Sequence, residues 1–329
     1  MKKNETILKV GTCAITGASG FIGQHLADAL VSQGKRVLVL VHRQDVPGQS
    51  EKFYGSLRDP DFLRGFLRGA DTLFHLAAAM GNRVLPEADF FRINDDETRV
   101  LLEVAVACGV RRVIHFSSAG VYGMNSGVLP LAETAPLHPV DRYERSKLAG
   151  EKTALSFADR LALTVIRPGW VYGEGDRRTF KLIRQIQSGY FAVIGSGRIR
   201  HSPIHVDDVA RGALAAANGA TRSGEIYNLG GPALSVCEMV AAIAHALGRR
   251  RPRLKVPVLF AAPLARMLDG LYSPFGREAP LGRSKLAFFL RGKPIDSSKI
   301  ERELGFRPKI DLASGLARSI AWYRERGWL

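Results

Sequence analysis

Tyr143 and Lys147 stand four residues apart in Tyr143-Glu144-Arg145-Ser146-Lys147, which opens a helical pattern running to Asp159. Residues four apart share one face of a helix. An ammonium beside a phenol favours the phenolate and lowers the tyrosine pKa toward working pH, as proton-transfer chemistry needs. Taken alone, the spacing is equally that of an ordinary amphipathic helix, and its weight comes from what precedes it. Ser117-Ser118-Ala119-Gly120-Val121-Tyr122-Gly123 follows the apolar run Arg112–Phe116 and sets two hydroxyls at a strand end. Gly17-Ala18-Ser19-Gly20-Phe21-Ile22-Gly23 lies between an apolar run, Ile7–Ile15, and a helical pattern, Phe21–Leu30, that closes at Gly34. Glycines at such a strand-to-helix turn let the backbone approach a pyrophosphate, which rests on the positive end of the helix. The spacing is G-x-x-G-x-x-G, and a lone glycine pattern also suits a plain tight turn.

The elements that must position these residues alternate. Strand patterns at Val37–Val41, Asp71–Leu76, Arg112–Phe116 and Leu163–Ile166 are separated by helical ones at Asp61–Arg68, Asp89–Cys108 and Tyr143–Asp159. This alternation predicts an α/β fold, a doubly wound parallel sheet with helices on both faces. Ligands on such sheets bind at the carboxyl ends of the strands. His42 and Arg43 follow the second strand, with no Asp or Glu at its end. An acid there would bond the ribose hydroxyls of NAD, whereas an Arg accommodates the 2′-phosphate of NADP. NADP(H) is therefore favoured over NAD(H), and Arg43 as a solvated loop residue is the plainer alternative. After the third strand, His75-Leu76-Ala77-Ala78-Ala79 offers small residues against which a cofactor can lie, with His75 read as a packed structural histidine.

With 329 residues the chain is long enough for one large domain or two smaller ones. Three scattered cysteines, Cys13, Cys108 and Cys237, indicate neither a disulfide framework nor a metal site. They fit a reduced, cytoplasmic setting. Lys2 and Lys3 lead into a run that carries Lys9 and enters the glycine turn, so it reads as the first strand rather than a signal peptide. No run approaches the ~20 apolar residues of a membrane span. The net charge is +16, and residues 241–329 hold 18 basic and 7 acidic side chains. An anionic substrate, a membrane surface or a solvated basic face would each account for this. Nucleic acid is not expected as a partner, because no recognised binding motif accompanies the charge.

Together these segments resemble an extended short-chain dehydrogenase/reductase of the NAD-dependent epimerase/dehydratase type. The likeness is carried by Gly17–Gly23, His75–Ala78, Ser117–Gly123, Tyr143–Lys147, Arg167-Pro168-Gly169-Trp170-Val171-Tyr172-Gly173, His205-Val206-Asp207-Asp208-Val209 and Tyr227-Asn228-Leu229-Gly230-Gly231. It continues through Leu304-Gly305-Phe306-Arg307-Pro308 to Trp322-Tyr323-Arg324. The resemblance implies a Rossmann-type NAD(P)-binding domain over residues 1–168, rejoined by about 204–231. A smaller C-terminal α/β substrate region would then span 169–203 and 232–329. It implies Tyr143 as general acid/base, Lys147 on the nicotinamide ribose, and Ser118 bonding the reacting oxygen. Cofactor contacts are implied for Gly17, Ser19, Gly20, Phe21, Ile22, Gly23, Arg43, Ser56, Leu57, Leu76, Ala77, Ala78, Ser117, Tyr143, Lys147, Pro168 and Val171. Asp207 and Asp208 are expected to cap a helix and tie the domains together. Two departures stand out. Asp95-Asp96-Glu97-Thr98 lacks the usual glycine before the Thr, and Ser56 replaces an adenine-contacting Asp.

The branch is narrowed by absences. Ala119-Gly120 stand where sugar-nucleotide dehydratases of this family carry an Asp-Glu pair. Trp170 stands where sugar-nucleotide epimerases place an Asn, and His201-Ser202-Pro203 lacks their phosphate-binding Arg. Pro280-Leu281-Gly282-Arg283-Ser284-Lys285 and Ile295-Asp296-Ser297-Ser298-Lys299 look more like the 3β-hydroxysteroid dehydrogenase branch, which acts on sterol-like or long-chain substrates. The expectation is an oxidoreductase acting at a hydroxyl or oxo carbon of such a small-molecule substrate. A nucleotide-sugar epimerase/dehydratase is the alternative, and a non-catalytic nucleotide sensor on the same fold is a third reading. The apolar stretch Val256–Tyr272, with Arg249, Arg250, Arg251, Arg253 and Lys255 upstream, reads either as a helix over the substrate pocket or as a peripheral membrane contact. Pro257 and Pro263 speak for the former by interrupting the helix. A homodimer stays open.

Overall fold

Cys13–Thr16 (β1) and Val37–Val41 (β2) are buried at every residue, as strands covered on both faces must be. In the computed structural model, which describes residues 11–80, 85–123, 129–219, 222–272, 279 and 281–329, they lie side by side within a parallel sheet. The part of the Ile7–Ile15 run before Gly11, and Pro280, fall outside those residues. Between β1 and β2 runs α1 (Phe21–Ser32), and Gly34 after it takes a positive φ of 71°. There follow β3 (Glu51–Tyr54), α2 (Pro60–Phe66), β4 (Thr72–His75), α3 (Glu87–Phe91), α4 (Glu97–Ala107), β5 (Arg112–Phe116), α5 (Arg142–Leu155) and β6 (Ala162–Pro168). The chain then makes β7 (Trp170–Tyr172), α6 (Arg177–Gln187), β8 (Val193–Ile194), β9 (Arg200–His201), β10 (Pro203–His205), α7 (Val206–Asn218) and β11 (Glu225–Leu229). The last part holds β12 (Leu234–Ser235), α8 (Val236–Ala246), β13 (Lys255–Val256), α9 (Val258–Tyr272), α10 (Arg283–Leu290), α11 (Ser298–Leu304) and α12 (Leu312–Glu325).

Among the described residues the main sheet has seven strands, in the order β11-β6-β5-β4-β1-β2-β3, all parallel. This is a Rossmann-type doubly wound sheet, and its order reverses between β1 and β4, where ligands of such sheets settle. Alternate strand residues feed two separate cores. Ile15, Val39, Phe74 and Ile114 pack with α1 and α7 on one face. Ala14, Leu38, Leu73 and Val113 pack with α2, α4 and α5 on the other. A third core gathers Ile183, Val240, Ile243, Leu286, Leu316, Ile320 and Tyr323 from the C-terminal helices.

Three elements differ from the sequence reading. β3 is an edge strand of two charged and two aromatic residues, none of them buried, with too short an apolar run to announce it. The single helix expected over Asp89–Cys108 is broken by a π-helical turn at Arg92–Asp96, in the segment that lacks the expected glycine. α9 runs from Val258 to Tyr272 straight through Pro263. The carbonyl that Pro263 leaves without a helix bond belongs to Leu259, an exposed residue.

Candidate active site

The glycine turn closes the carboxyl end of β1. Gly17 has φ 76°, and a side chain there would sit 2.6 Å from the Ala77 nitrogen. A side chain at Gly23 would sit 2.2 Å from the Gly17 carbonyl oxygen. Both positions therefore demand glycine, and they press α1 and the loop after β4 close around the turn. Gly20 caps α1 with no side-chain hydrogen bond, and no acid stands in the first turn. The positive end of α1 is thus left to an anionic ligand, which is the cradle a dinucleotide pyrophosphate needs. Ser19, Phe21 and Ile22 lie in this turn and the first helical turn. Ala77 N donates to Thr16 Oγ1 at 3.4 Å, which brings the Leu76-Ala77-Ala78 segment beside it. Arg43 is exposed just past β2, while Asp45, the nearest acid, is engaged by Lys52 at 2.8 Å and Tyr54 at 3.1 Å. Leu57 is buried after β3, and the Ser56 hydroxyl accepts from Arg58 N at 3.3 Å. Pro168 ends β6, and Val171 is buried in the core with α1 and α7.

Ser118, Tyr143 and Lys147 come together at the carboxyl end of β5. Asp141 caps α5 by accepting from Glu144 N at 2.9 Å, which fixes the first turn that carries Tyr143. The Ser118 hydroxyl is hydrogen-bonded to that of Tyr143. It also accepts from Gly120 N at 3.0 Å. Burial pushes the Tyr143 hydroxyl above the usual phenol range, against the lowering by the Ser118 hydrogen bond and the nearby Arg178 charge. This corrects the expectation that Lys147 lowers it. The Lys147 ammonium is turned to the backbone, donating to the Phe116 carbonyl at 2.6 Å. Burial brings Lys147 itself down to about 8, opposed by the charge of Glu151. His75 accepts or donates between Thr16 Oγ1 at 2.7 Å and Thr98 Oγ1 at 2.9 Å. Burial, then the Lys147 charge, drives it to about 3, so it is a neutral packed ring as expected.

Several residues have supporting roles that motif reading did not assign. Asn94, buried in the π-helical turn, accepts from Ala79 N at 2.7 Å and donates to Ser146 Oγ at 2.8 Å. It ties the loop after β4 to the helix of Tyr143. A π turn among polar residues is a frequent mark of a functional site, but no sequence period reveals it. Glu151 accepts from Ser117 Oγ at 2.5 Å and pairs with the buried Arg167 guanidinium at 2.5 and 3.0 Å. Arg167 reaches Tyr122 OH at 3.0 Å, which donates to Asn228 at 2.7 Å. The signal was present in Lys147 and Glu151, four apart on α5.

The C-terminal region meets this centre through Glu144, which binds Lys293. Lys293 bridges in parallel to His201, whose ring stacks on Phe288 at 4.9 Å. Phe288 in turn lies 5.6 Å from Trp170. Asp207 and Asp208 join the two regions as expected, although the side-chain cap of α7 comes from His205. Asp207 binds His25 at 2.9 Å and Arg318 at 2.7 Å, and Asp208 accepts from Lys309 N and Ile310 N at 3.0 and 2.9 Å.

The profile of the NAD dependent epimerase/dehydratase family matches residues 13–230. The chain is 32% identical to "Sterol demethylase protein B" of Methylococcus capsulatus, over 97% of this chain and 100% of that one. It is 30% identical to "Ceramide reductase" of Caulobacter vibrioides, over 97% and 96%. Among solved structures it is similar to MoeE5 in complex with UDP-glucuronic acid and NAD, with TM-score 0.77, 30% identity, and 96% and 100% coverage. The chain is therefore an enzyme of the NAD-dependent epimerase/dehydratase family, an extended short-chain dehydrogenase/reductase.

Proposed function

We propose that this protein is an oxidoreductase that interconverts a hydroxyl and an oxo carbon on a bulky apolar substrate, sterol-like or long-chain, using NADP(H) in preference to NAD(H). The observation that carries the reading is the Ser118–Tyr143 hydroxyl pair, linked through Glu144 and Lys293 to the aromatic group of His201, Phe288 and Trp170. Aromatic walls with a few polar groups suit an apolar ligand whose one reacting oxygen must be oriented. A sugar nucleotide brings two phosphate charges that are costly to bury without paired donors, and Trp170 offers one N–H. The sterol and ceramide activities named for those two relatives support the same class.

A bound nicotinamide supplies hydride chemistry. In reduction Tyr143 gives its proton to the carbonyl oxygen, and in oxidation it takes the hydroxyl proton. Ser118 holds that oxygen by a hydrogen bond, Lys147 holds the nicotinamide ribose, and the walls exclude water. The first turn of α1 would hold the pyrophosphate, and the loop segments at Ser56-Leu57 and Leu76–Ala78 would contact the rest of the dinucleotide. Arg43 takes the 2′-phosphate by charge-assisted hydrogen bonds. Arg43→Ala is expected to weaken NADPH at least tenfold and NADH little, measured by direct titration. Equal losses, or tighter wild-type binding of NADH, would reject the preference.

A substrate panel tests the whole reading, with cofactor absorbance followed for alcohols and ketones and sugar isomers separated by chromatography for nucleoside-diphosphate sugars, whose epimerisation returns the hydride and leaves the absorbance unchanged. Turnover of a sterol or long-chain alcohol or ketone is expected. Turnover of a nucleoside-diphosphate sugar with no response to any apolar substrate would favour the epimerase reading, which the sugar-nucleotide complex of MoeE5 supports.

A further inference from the structure

Helix α9 is amphipathic the wrong way round for a buried element. Its small residues Ala261 and Ala265 are buried in the C-terminal core. Its large apolar residues face outward: Leu259 is 77% exposed, Phe260 67%, Leu264 43%, Met267 62% and Leu271 60%. At about 100° per residue these five fall within an arc of about 140° centred on Met267. The sequence reading in which this helix roofs a substrate pocket does not fit, because these side chains point away from the core. Scattered exposed leucines are ordinary, but a contiguous stripe on one helix marks a contact surface.

The chain entering α9 carries Arg249, Arg250, Arg251, Arg253 and Lys255, all exposed, with no acid among them. Leu254, 62% exposed, stands within this run, and Arg266 lies exposed at the edge of the apolar arc. We propose that α9 and this basic segment dock the protein in the plane of an anionic phospholipid surface. The apolar arc enters the acyl boundary while the guanidinium groups meet the headgroups. No helix among the described residues is long and apolar enough to cross a membrane, so the contact is peripheral. A second copy of the chain fits this face less well. A two-fold contact lays the same patch against itself, which adds a second basic segment to the face and no complementary acidic one. The docking surface stands independently of the substrate class.

Vesicle flotation tests it with the full chain, using pure phosphatidylcholine vesicles and equimolar phosphatidylcholine–phosphatidylglycerol vesicles. Flotation with the anionic vesicles and not with the neutral ones is expected. Arg250→Ala and Arg253→Ala each lower the partition coefficient about fivefold, as about 1 kcal/mol per basic residue implies. Phe260→Ser with Met267→Ser abolishes flotation while circular dichroism stays unchanged. Tyr190→Ser, at a site 93% exposed elsewhere on the surface, leaves it intact. The proposal is overturned if wild type floats with neither vesicle or equally with both, or if Tyr190→Ser loses as much as the α9 variant. A dimer in sedimentation velocity that Met267→Ser dissociates would also overturn it and assign the face to a second copy.

Discussion

A phenol held above its usual pKa stays protonated at neutral pH, so Tyr143 carries a proton to give but releases it less readily than a free phenol until something nearby changes its environment. Tyr143→Phe removes the hydroxyl, and with it the transferable proton and the hydrogen bond to Ser118. It is expected to lower kcat by at least a hundredfold with cofactor affinity within a factor of about two, as steady-state rates and cofactor titration would show. Retention of a large share of the rate would reject the acid/base role. Lys147 permits a separate test. It loses its proton near 8 in the folded chain and near 10.5 when unfolded. Between those values the unfolded chain binds the extra proton, so stability rises with pH, by up to about 1.4 kcal/mol per unit. Below about 8 the buried charge is present in full and its burial cost with it. Lys147→Met is expected to remove that rise, as urea unfolding of both proteins between pH 8 and pH 10 would show. Ser118 was implied by the family resemblance, while the placing of Tyr143 and Lys147 four apart on one helix was legible from spacing. That the Lys147 ammonium rests on the Phe116 carbonyl was not, because that distance is set by how α5 lies on β5.

Elements with a strong period were read correctly, and those held by tertiary contacts were not. β2 and β5 have the ranges their apolar runs announced. β3 and the π turn at Arg92–Asp96 escaped notice, since an edge strand needs no apolar face and a π turn leaves no periodic trace. The π turn matters for packing. A side chain on Gly150 of α5 would stand 1.9 Å from the Asn94 carbonyl oxygen, which is backbone and cannot swing away. Gly150→Ala is therefore expected to push α5 off the turn that fixes Ser146, at a cost of about 1–3 kcal/mol. Thermal unfolding would show a Tm lower by several degrees, and an unchanged Tm would mean that the two elements separate freely. α9 stayed between two readings for a different reason. Apolar content tells that a surface seeks cover, but only the fold tells whether that cover is the protein's own core.

At the scale of the molecule, the C-terminal chain is stitched back into the nucleotide half. Arg318 of α12 reaches Asp207, Asp207 reaches His25 of α1, and Asp208 holds the backbone at Lys309 and Ile310. The order β11-β6-β5 adds a constraint of time to this one of space. As the chain leaves the ribosome, β6 is made well before β11, the strand that covers its open side. Every residue of β6 after Ala162 is buried in the finished protein. During that interval a buried-type strand stands as a bare sheet edge, the feature most prone to pair with another chain. A nascent protein of this topology is therefore exposed to misassembly until Leu229 has emerged, however stable the completed fold becomes.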